Sequence, residues 1–142
     1  MRVNEVTRRI IGAAYEVHAQ VGPGLLESAY SPCMGIAMAE RGLRFRAEQP
    51  LRLIFRGRDV GLGYRADFLV EGRVIVELKS VLRLEPVFTA QLITYLKLSG
   101  CGVGLLLNFN VRNMQHGVKR VVLGSDWKGD ARAAPEEVPG NP

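Results

Sequence analysis

Apolar residues recur at intervals of three and four along the first twenty positions of the chain. Charged residues fall between them, which is the pattern of an amphipathic helix with one buried face. The apolar positions are Val3, Val6, Ile10, Ala13, Ala14, Val17 and Val21. The run Val21-Gly22-Pro23-Gly24 is expected to end this helix, because glycine and proline both favour turns.

A second helix is predicted from Leu25 to about Gly42. Its expected apolar face consists of Leu25, Leu26, Ala29, Cys33, Ile36 and Ala37. Pro32 lies within it, and a proline inside a regular helix removes a backbone hydrogen bond and clashes with the preceding turn, at a cost of about 3 kcal/mol. The sequence therefore predicts a kink or a broken turn just after Tyr30.

The middle of the chain predicts three strands. From Leu43 to Phe55, residues that favour strands alternate loosely with arginines, as in a half-exposed strand. Two further strands, from Tyr64 to Val70 and from Val74 to Ser80, flank Glu71-Gly72-Arg73, which predicts a hairpin with a short turn. Alternation along this hairpin groups its apolar residues on one side: Ala66, Phe68, Val70, Val74, Val76 and Leu78.

The last third of the chain predicts one more helix and two strands. Pro86 suits the first position of a helix, and Gly100 is a natural stop. The nearly continuous apolar run from Val103 to Phe109 is typical of a strand covered on both faces, and a short strand follows from Val118 to Leu123. The predicted order, α-α-β-β-β-α-β-β, is that of an α/β fold with a mixed central β-sheet flanked by helices.

Composition and charge narrow the class of protein. With 142 residues, of which 47% are hydrophobic, we expect one folded domain over residues 1–125 and a flexible tail over residues 126–142. The formal net charge is +5, and because residues 126–142 are net acidic, the basic excess lies in the expected domain. A basic domain favours a polyanionic partner such as nucleic acid.

Other features exclude several classes of protein. Cys33 and Cys101 are isolated, so neither a disulfide framework nor a zinc site is indicated. The N-terminus lacks the pattern of a signal peptide, and no apolar run approaches the ~20 residues that span a bilayer. We therefore expect a cytoplasmic protein without a membrane partner.

Ionisable residues lie inside the otherwise apolar strands of the predicted hairpin. With a three-residue turn centred on Gly72, Asp67 lies opposite Glu77, and Lys79 shares a strand face with Glu77. Two adjacent carboxylates repel each other and are costly to bury. A divalent cation with a preference for oxygen ligands, such as Mg²⁺, would offset that cost. Neutralisation by Lys79 and Arg65 in an ion-pair ladder is the alternative.

Several short motifs resemble the bacterial GxxExxY proteins. The matching stretches run from Gly24 to Tyr30, Gly63 to Asp67, Val76 to Lys79, Ala90 to Leu96 and Leu106 to Phe109. That family is similar to a compact branch of the PD-(D/E)XK nuclease superfamily, so the resemblance implies a restriction-endonuclease-like core. The chain departs from the pattern at Pro32, which interrupts the second helix, and at Phe88, where a polar residue or histidine is expected.

The resemblance implies metal-dependent hydrolysis of phosphodiester bonds in DNA, or in RNA. The groups that would hold one or two Mg²⁺ or Mn²⁺ ions are Glu27, Asp67, Glu77 and the backbone carbonyl of Leu78. Lys79 would orient the attacking water, Gln91 would position Lys79 or that water, and Tyr95 would contact a neighbouring phosphate. Contacts with the nucleic-acid backbone would come from Arg44, Arg46, Arg52, Arg56, Arg58 and Arg65.

A second function remains open at this point. A module that retains the nuclease fold without catalysis, and binds nucleic acid or a partner protein, has the same motifs, because fold alone does not determine function.

Overall fold

The computed structural model describes residues 1–61 and 63–124. Its helices are α1 (Val3–Val21), α2 (Glu27–Glu40) and α3 (Pro86–Ser99). Its strands are β1 (Phe45–Leu51), β2 (Ile54–Phe55), β3 (Arg58–Asp59), β4 (Tyr64–Val70), β5 (Val74–Lys79), β6 (Val103–Asn108) and β7 (Val118–Val122). None of the helices in this part of the chain has the length and hydropathy of a membrane span. The tail expected over residues 126–142 lies outside the described residues.

Five of the strands form one mixed sheet in the order β1-β4-β5-β6-β7. β5 and β6 are parallel and are connected through α3, whereas the other neighbours are antiparallel. One face of the sheet packs against α1 and α2, and α3 covers the other. The expected α/β fold with a mixed central sheet flanked by helices is confirmed.

The hydrophobic core consists of two clusters, one on each face of the sheet. The cluster beneath α1 and α2 includes Ile10, Tyr30, Phe68 and Phe109. The cluster beneath α3 includes Ile75, Leu92, Tyr95 and Leu106. Since β5 lies at the centre of the sheet between the two clusters, its Glu77 is buried at 7% exposure, whereas Lys79 at the end of the strand is half-buried.

Ala66 packs on the side of the sheet opposite to the one predicted. It lies in the cluster beneath α3, whereas Phe68 and Val70 lie beneath α1 and α2. The regular pairing of β4 with β5 ends at Phe68–Val76, so the alternation of faces does not continue past Asp67.

The buried face of α2 also differs from the prediction. Leu26 is 76% exposed and Ile36 is 64% exposed, while the buried residues are Tyr30, Met34, Ala37 and Met38. The ring of Tyr30 stacks on that of Phe109 with the ring centroids 4.4 Å apart. This aromatic contact sets the rotation of the helix, and the leucines and isoleucine that dominate the sequence pattern face outward.

The predicted broken turn after Tyr30 is wrong, because α2 runs without interruption through Pro32. The kink that was its alternative stays a prediction. Pro32 lies in the second turn of the helix, where its missing N–H removes the one hydrogen bond that would reach the carbonyl of Ser28. The buried side chains on either side of it, Tyr30 and Met34, hold the helix on the sheet.

A small hairpin replaces the end of the predicted first strand. The strand expected from Leu43 to Phe55 ends at Leu51, and β2 then pairs with β3 as a separate two-stranded sheet. Arg56 and Gly57 connect them with φ of 50° and 75°, the positive values that a tight two-residue hairpin turn requires. The described element order therefore contains two more strands than the prediction.

Candidate active site

Asp67 on β4 and Glu77 on β5 lie beside each other where the regular ladder ends. The backbone N–H of Asp67 donates to Oε1 of Glu77 at 2.8 Å, and the N–H of Leu78 donates to Oδ2 of Asp67 at 2.7 Å. Each carboxylate thus accepts a hydrogen bond from the neighbouring strand through one of its oxygens. The predicted register centred on Gly72, whose φ is 66°, is confirmed by the pairs that lead up to the site.

The surroundings of Asp67 and Glu77 disfavour the negatively charged form of both carboxyl groups. Burial raises the pKa of Glu77 to about 8, and repulsion from Asp67 contributes to the shift. Burial also raises the pKa of Asp67, to which repulsion from Glu27 and Glu48 contributes. The positive charge of Lys79 acts in the opposite direction on both groups. Lys79 therefore only partly compensates the two acids, and a cation beside them would relieve the remaining cost.

The raised pKa of Glu77 predicts that metal-free protein loses stability as the pH rises. An unfolded Glu77 releases its proton near 4.5 and the folded one near 8, so between these values the native state binds more protons than the unfolded state. The free energy of unfolding should then fall by about 4 kcal/mol across this window. Urea unfolding in EDTA at a series of pH values measures it.

The matched control for this prediction is Glu77→Gln, which keeps an oxygen acceptor for the Asp67 N–H but does not titrate. Its stability should vary much less between pH 5 and pH 8. A wild-type stability that stays constant or increases through this range would contradict the burial of a protonated Glu77.

Glu27 begins α2 and is exposed, yet its charge reaches both buried carboxylates. The loop before it is fixed by Ser80, whose hydroxyl donates to the carbonyl of Leu25 at 2.6 Å. Ser80 follows β5 directly, so this bond ties the start of α2 to the end of the strand that carries Glu77.

Tyr30 holds the same loop from the core side. Its hydroxyl donates to the carbonyl of Gly22 at 2.6 Å and accepts from the N–H of Leu25 at 3.2 Å. The tyrosine of the Gly24-x-x-Glu27-x-x-Tyr30 pattern is therefore a buried anchor for the segment that leads to Glu27.

Lys79 contacts an aromatic ring on α3. Its Nζ lies 4.5 Å from the centroid of Phe88, a distance at which the face of the ring attracts an ammonium group. Phe88 thus occupies the position where the sequence comparison expected a polar residue, and it restricts where the Lys79 ammonium lies. Nothing in the local sequence around Phe88 signals this contact, which depends on the packing of α3 against β5.

Tyr95 lies close to the carboxylates, and Gln91 lies one helical turn before it. Burial raises the pKa of Tyr95, with further contributions from Glu77, Asp67 and Tyr64, so its hydroxyl keeps its proton and can donate a hydrogen bond. The Tyr64 ring centroid lies 6.2 Å from that of Tyr95. Gln91 is exposed, and within the described residues its side chain makes no hydrogen bond.

Two further polar residues at the site were missed by the sequence analysis. Glu48 on β1 acts electrostatically on Asp67 and has a φ of 52°, an unusual value for a residue other than glycine. Asn108 is 2% exposed, donates from Nδ2 to the carbonyl of Val81 at 3.0 Å and accepts the Val81 N–H at 3.1 Å. It fixes the chain just after Lys79, and an amide at the end of an apolar strand is the signal that could have identified it.

The donor groups fit a hard divalent cation. No three His, Cys, Asp or Glu side chains converge as a ready-made metal site within residues 1–61 and 63–124. Mg²⁺, however, commonly uses one or two protein carboxylates and completes its shell with water. Asp67 and Glu77 supply two desolvated carboxylates, and strand geometry directs the carbonyl of Leu78 to the same side as its N–H, toward Asp67.

The six arginines predicted to contact nucleic acid are all exposed, but they differ in their partners. Nε of Arg52 donates to Oδ2 of Asp59 at 2.7 Å, and Nε of Arg44 lies 3.8 Å from Oε2 of Glu71. The arginines of this set that form no ion pair in the described part of the chain are Arg46, Arg56, Arg58 and Arg65.

A family model described as the PD-(D/E)XK nuclease superfamily matches residues 4–121. The chain belongs to this superfamily. Glu77-Leu78-Lys79 has the residue types of the (D/E)XK part of the superfamily name, and Ala66-Asp67 has alanine where the name has proline. No curated protein and no solved structure is significantly similar to the chain. Membership in the PD-(D/E)XK superfamily agrees with the α/β architecture and with the adjacent Asp67, Glu77 and Lys79 on β4 and β5.

Proposed function

We propose that this protein is a metal-dependent nuclease that hydrolyses phosphodiester bonds of DNA, within the GxxExxY branch of the PD-(D/E)XK superfamily. The observation that carries the proposal is the Asp67–Glu77 pair beside Lys79. Its two carboxylates are desolvated and only partly compensated, which is the electrostatic environment that a bound Mg²⁺ or Mn²⁺ would stabilise.

The proposed ligands are Asp67, Glu77 and the carbonyl of Leu78, with Glu27 at the margin of the site. When bound, the cation would supply Lewis-acid stabilisation of the charge that develops on the phosphate. Glu27 is exposed at the start of α2, so it can approach the ion or its water shell without the loss of hydration that burial imposes on Asp67 and Glu77.

The remaining residues have proposed roles in orientation and proton donation. The Lys79 ammonium would hold the attacking water by a hydrogen bond, in a position that Phe88 restricts. Gln91 would orient Lys79 or that water from α3. Tyr95, whose raised pKa keeps its hydroxyl protonated, would donate to a phosphate oxygen near the scissile bond. Phosphates farther along the strand would bind the arginines that lack an ion pair.

Cleavage assays on several nucleic acids test this function. Purified protein with Mn²⁺ or Mg²⁺ is expected to cut at least one of linear, circular and single-stranded DNA, and to cut none of them in EDTA. Asp67→Asn and Glu77→Gln each keep an oxygen acceptor for the backbone hydrogen bond at their position but remove a negative charge, so they should fold and yield no product. An RNA substrate in the same assay tests DNA preference.

One result of these assays would contradict the nuclease function. Protein that binds DNA in a salt-dependent manner but cuts no substrate with either cation would establish the non-catalytic binding module instead.

A further inference from the structure

The β2–β3 hairpin projects an aromatic ring and two cations from the domain. Phe55 is 60% exposed, and the guanidinium carbon of Arg56 lies 5.2 Å from its ring centroid. Phe55 pairs with Arg58 across the hairpin, so the side chains of all three residues lie next to the turn at Arg56-Gly57. The apolar ring of Phe55 is therefore exposed at the tip of the hairpin, next to Arg56 and Arg58.

Three hydrogen bonds hold the base of the hairpin. Asp59 accepts from Nε of Arg52 at 2.7 Å through one oxygen and from the N–H of Gly61 at 2.8 Å through the other. The N–H of Val60 donates to the carbonyl of Leu53 at 2.9 Å. A pre-ordered projection loses little conformational entropy when a ligand binds to it.

The hairpin leaves the main sheet at the end that carries the candidate active site. It is inserted between β1 and β4, whose pairing ends at Leu51–Tyr64. The ring of Tyr64 lies beside Tyr95, which is close enough to Asp67 and Glu77 to be affected by their charges. The hairpin and the two carboxylates are therefore connected to the same end of the sheet.

The charge of the hairpin is complementary to a nucleic-acid strand. Asp59 is the one acidic residue between positions 52 and 61, and Arg52 pairs with it. Arg56 and Arg58 form no ion pair within residues 1–61 and 63–124. Cations beside an aromatic ring match a strand with exposed bases, because the ring can stack on a base and the guanidinium groups can bind phosphates. In a duplex the faces of the bases are already covered by stacking.

We propose that the β2–β3 hairpin binds an unpaired nucleotide near the cleaved phosphodiester bond, with Phe55 stacking on its base and Arg56 and Arg58 contacting phosphates. The substrate class is then single-stranded or frayed nucleic acid. This inference rests on the proposed function and adds the structure of the substrate to it.

The test compares two fluorescein-labelled probes, a short oligothymidylate and a blunt-ended duplex, by fluorescence anisotropy in EDTA. Phe55→Ala is expected to weaken binding of the oligothymidylate about tenfold and to leave duplex binding within about twofold. Phe55→Trp should restore the affinity for the single strand. Tyr15→Ala removes an aromatic residue that is 45% exposed on α1, and it should change neither affinity.

The arginines give a second, independent measurement. The double variant Arg56→Gln, Arg58→Gln should make the dependence of log affinity on log salt shallower by about 1.4 for the single strand. If the arginines bind no phosphate, this slope will not change.

The proposal is overturned if Phe55→Ala affects both probes equally, if it affects neither, or if wild-type protein does not bind the oligothymidylate. These outcomes leave the nuclease function standing as long as wild-type protein cuts a substrate in the cleavage assay. Failure of the nuclease function would show instead as absence of cleavage by wild-type protein, with the effect of Phe55→Ala on binding unaltered.

Discussion

Lys79→Ala is expected to lower the rate of phosphodiester cleavage by about 10²–10⁴-fold, the range attributed to a positioned proton-transfer or orienting group. The Lys79 ammonium lies 4.5 Å from the centroid of the Phe88 ring, and its positive charge favours the ionised form of both buried carboxylates, so it is close enough to act at the site. Single-turnover rates on a substrate identified by the cleavage assay, with saturating Mg²⁺, measure this loss.

A matched variant controls for the loss of a positive charge. Lys119 is exposed on β7, beyond β6 from the site, and Lys119→Ala should retain the wild-type rate within about twofold. Circular dichroism would establish that both variants are folded. Lys79→Ala protein that retains half of the wild-type rate would exclude Lys79 from the reaction.

Tyr30→Ala is expected to reduce the free energy of unfolding by about 3–5 kcal/mol. Tyr30 is fully buried, its ring stacks on Phe109, and its hydroxyl holds the loop that leads into α2. The substitution leaves a cavity between α2 and the sheet and also leaves the carbonyl of Gly22 without its donor. Urea unfolding at a pH held constant for all variants measures the change.

One variant separates the Tyr30 ring from its hydroxyl, and a second is a surface control. Tyr30→Phe keeps the stacking and should cost only about 0.5–1.5 kcal/mol, the net contribution of a typical hydrogen bond, because Gly22 is only half-buried and Leu25 is exposed. Tyr15→Ala, on the exposed surface of α1, should change the stability by about 0.5 kcal/mol or less. If Tyr30→Ala were no more destabilising than Tyr15→Ala, the anchoring role of Tyr30 would be wrong.

Long periodic patterns predicted their elements well. α1 buries the predicted apolar positions from Val6 to Val17 but exposes Val21, α3 begins at Pro86 and ends before Gly100, and β6 is covered on both faces. In each case the signal lies within a single helix or strand, either as a regular spacing of apolar residues or as a proline or glycine at one end. The local sequence is therefore enough to predict that element. The predictions that failed depend on contacts between elements.

The rotation of α2 illustrates this limit. Its pattern contains an aliphatic face and a second face with Tyr30 and the methionines, and only the position of Phe109 on the sheet decides which one is buried. The β2–β3 hairpin was missed for a related reason, because the turn at Arg56-Gly57 requires a positive φ at an arginine, which the sequence does not signal.

The sequence predicted which residues of β4 and β5 lie opposite each other at the candidate site, but not the hydrogen bonds of the site. The glycine of the turn fixed which residues on β4 and β5 lie opposite each other, and this alone brought Asp67 and Glu77 together. The contacts of Lys79 with Phe88, of Ser80 with Leu25 and of Asn108 with Val81 join residues distant in the chain. No periodicity encodes such pairs, so only the folded chain reveals them.

The reciprocal hydrogen bonds of Asp67 and Glu77 have an evolutionary consequence. The regular pairing of β4 with β5 ends just before these residues, and here each acid accepts a backbone N–H from the other strand. Each acid therefore also helps to hold the two strands together. A descendant that no longer cut nucleic acid would still be under selection to keep both acids, or their amides, for the sake of its architecture. In a lineage of such proteins, each acid would then be replaced by its amide more readily than by a residue that lacks an acceptor oxygen.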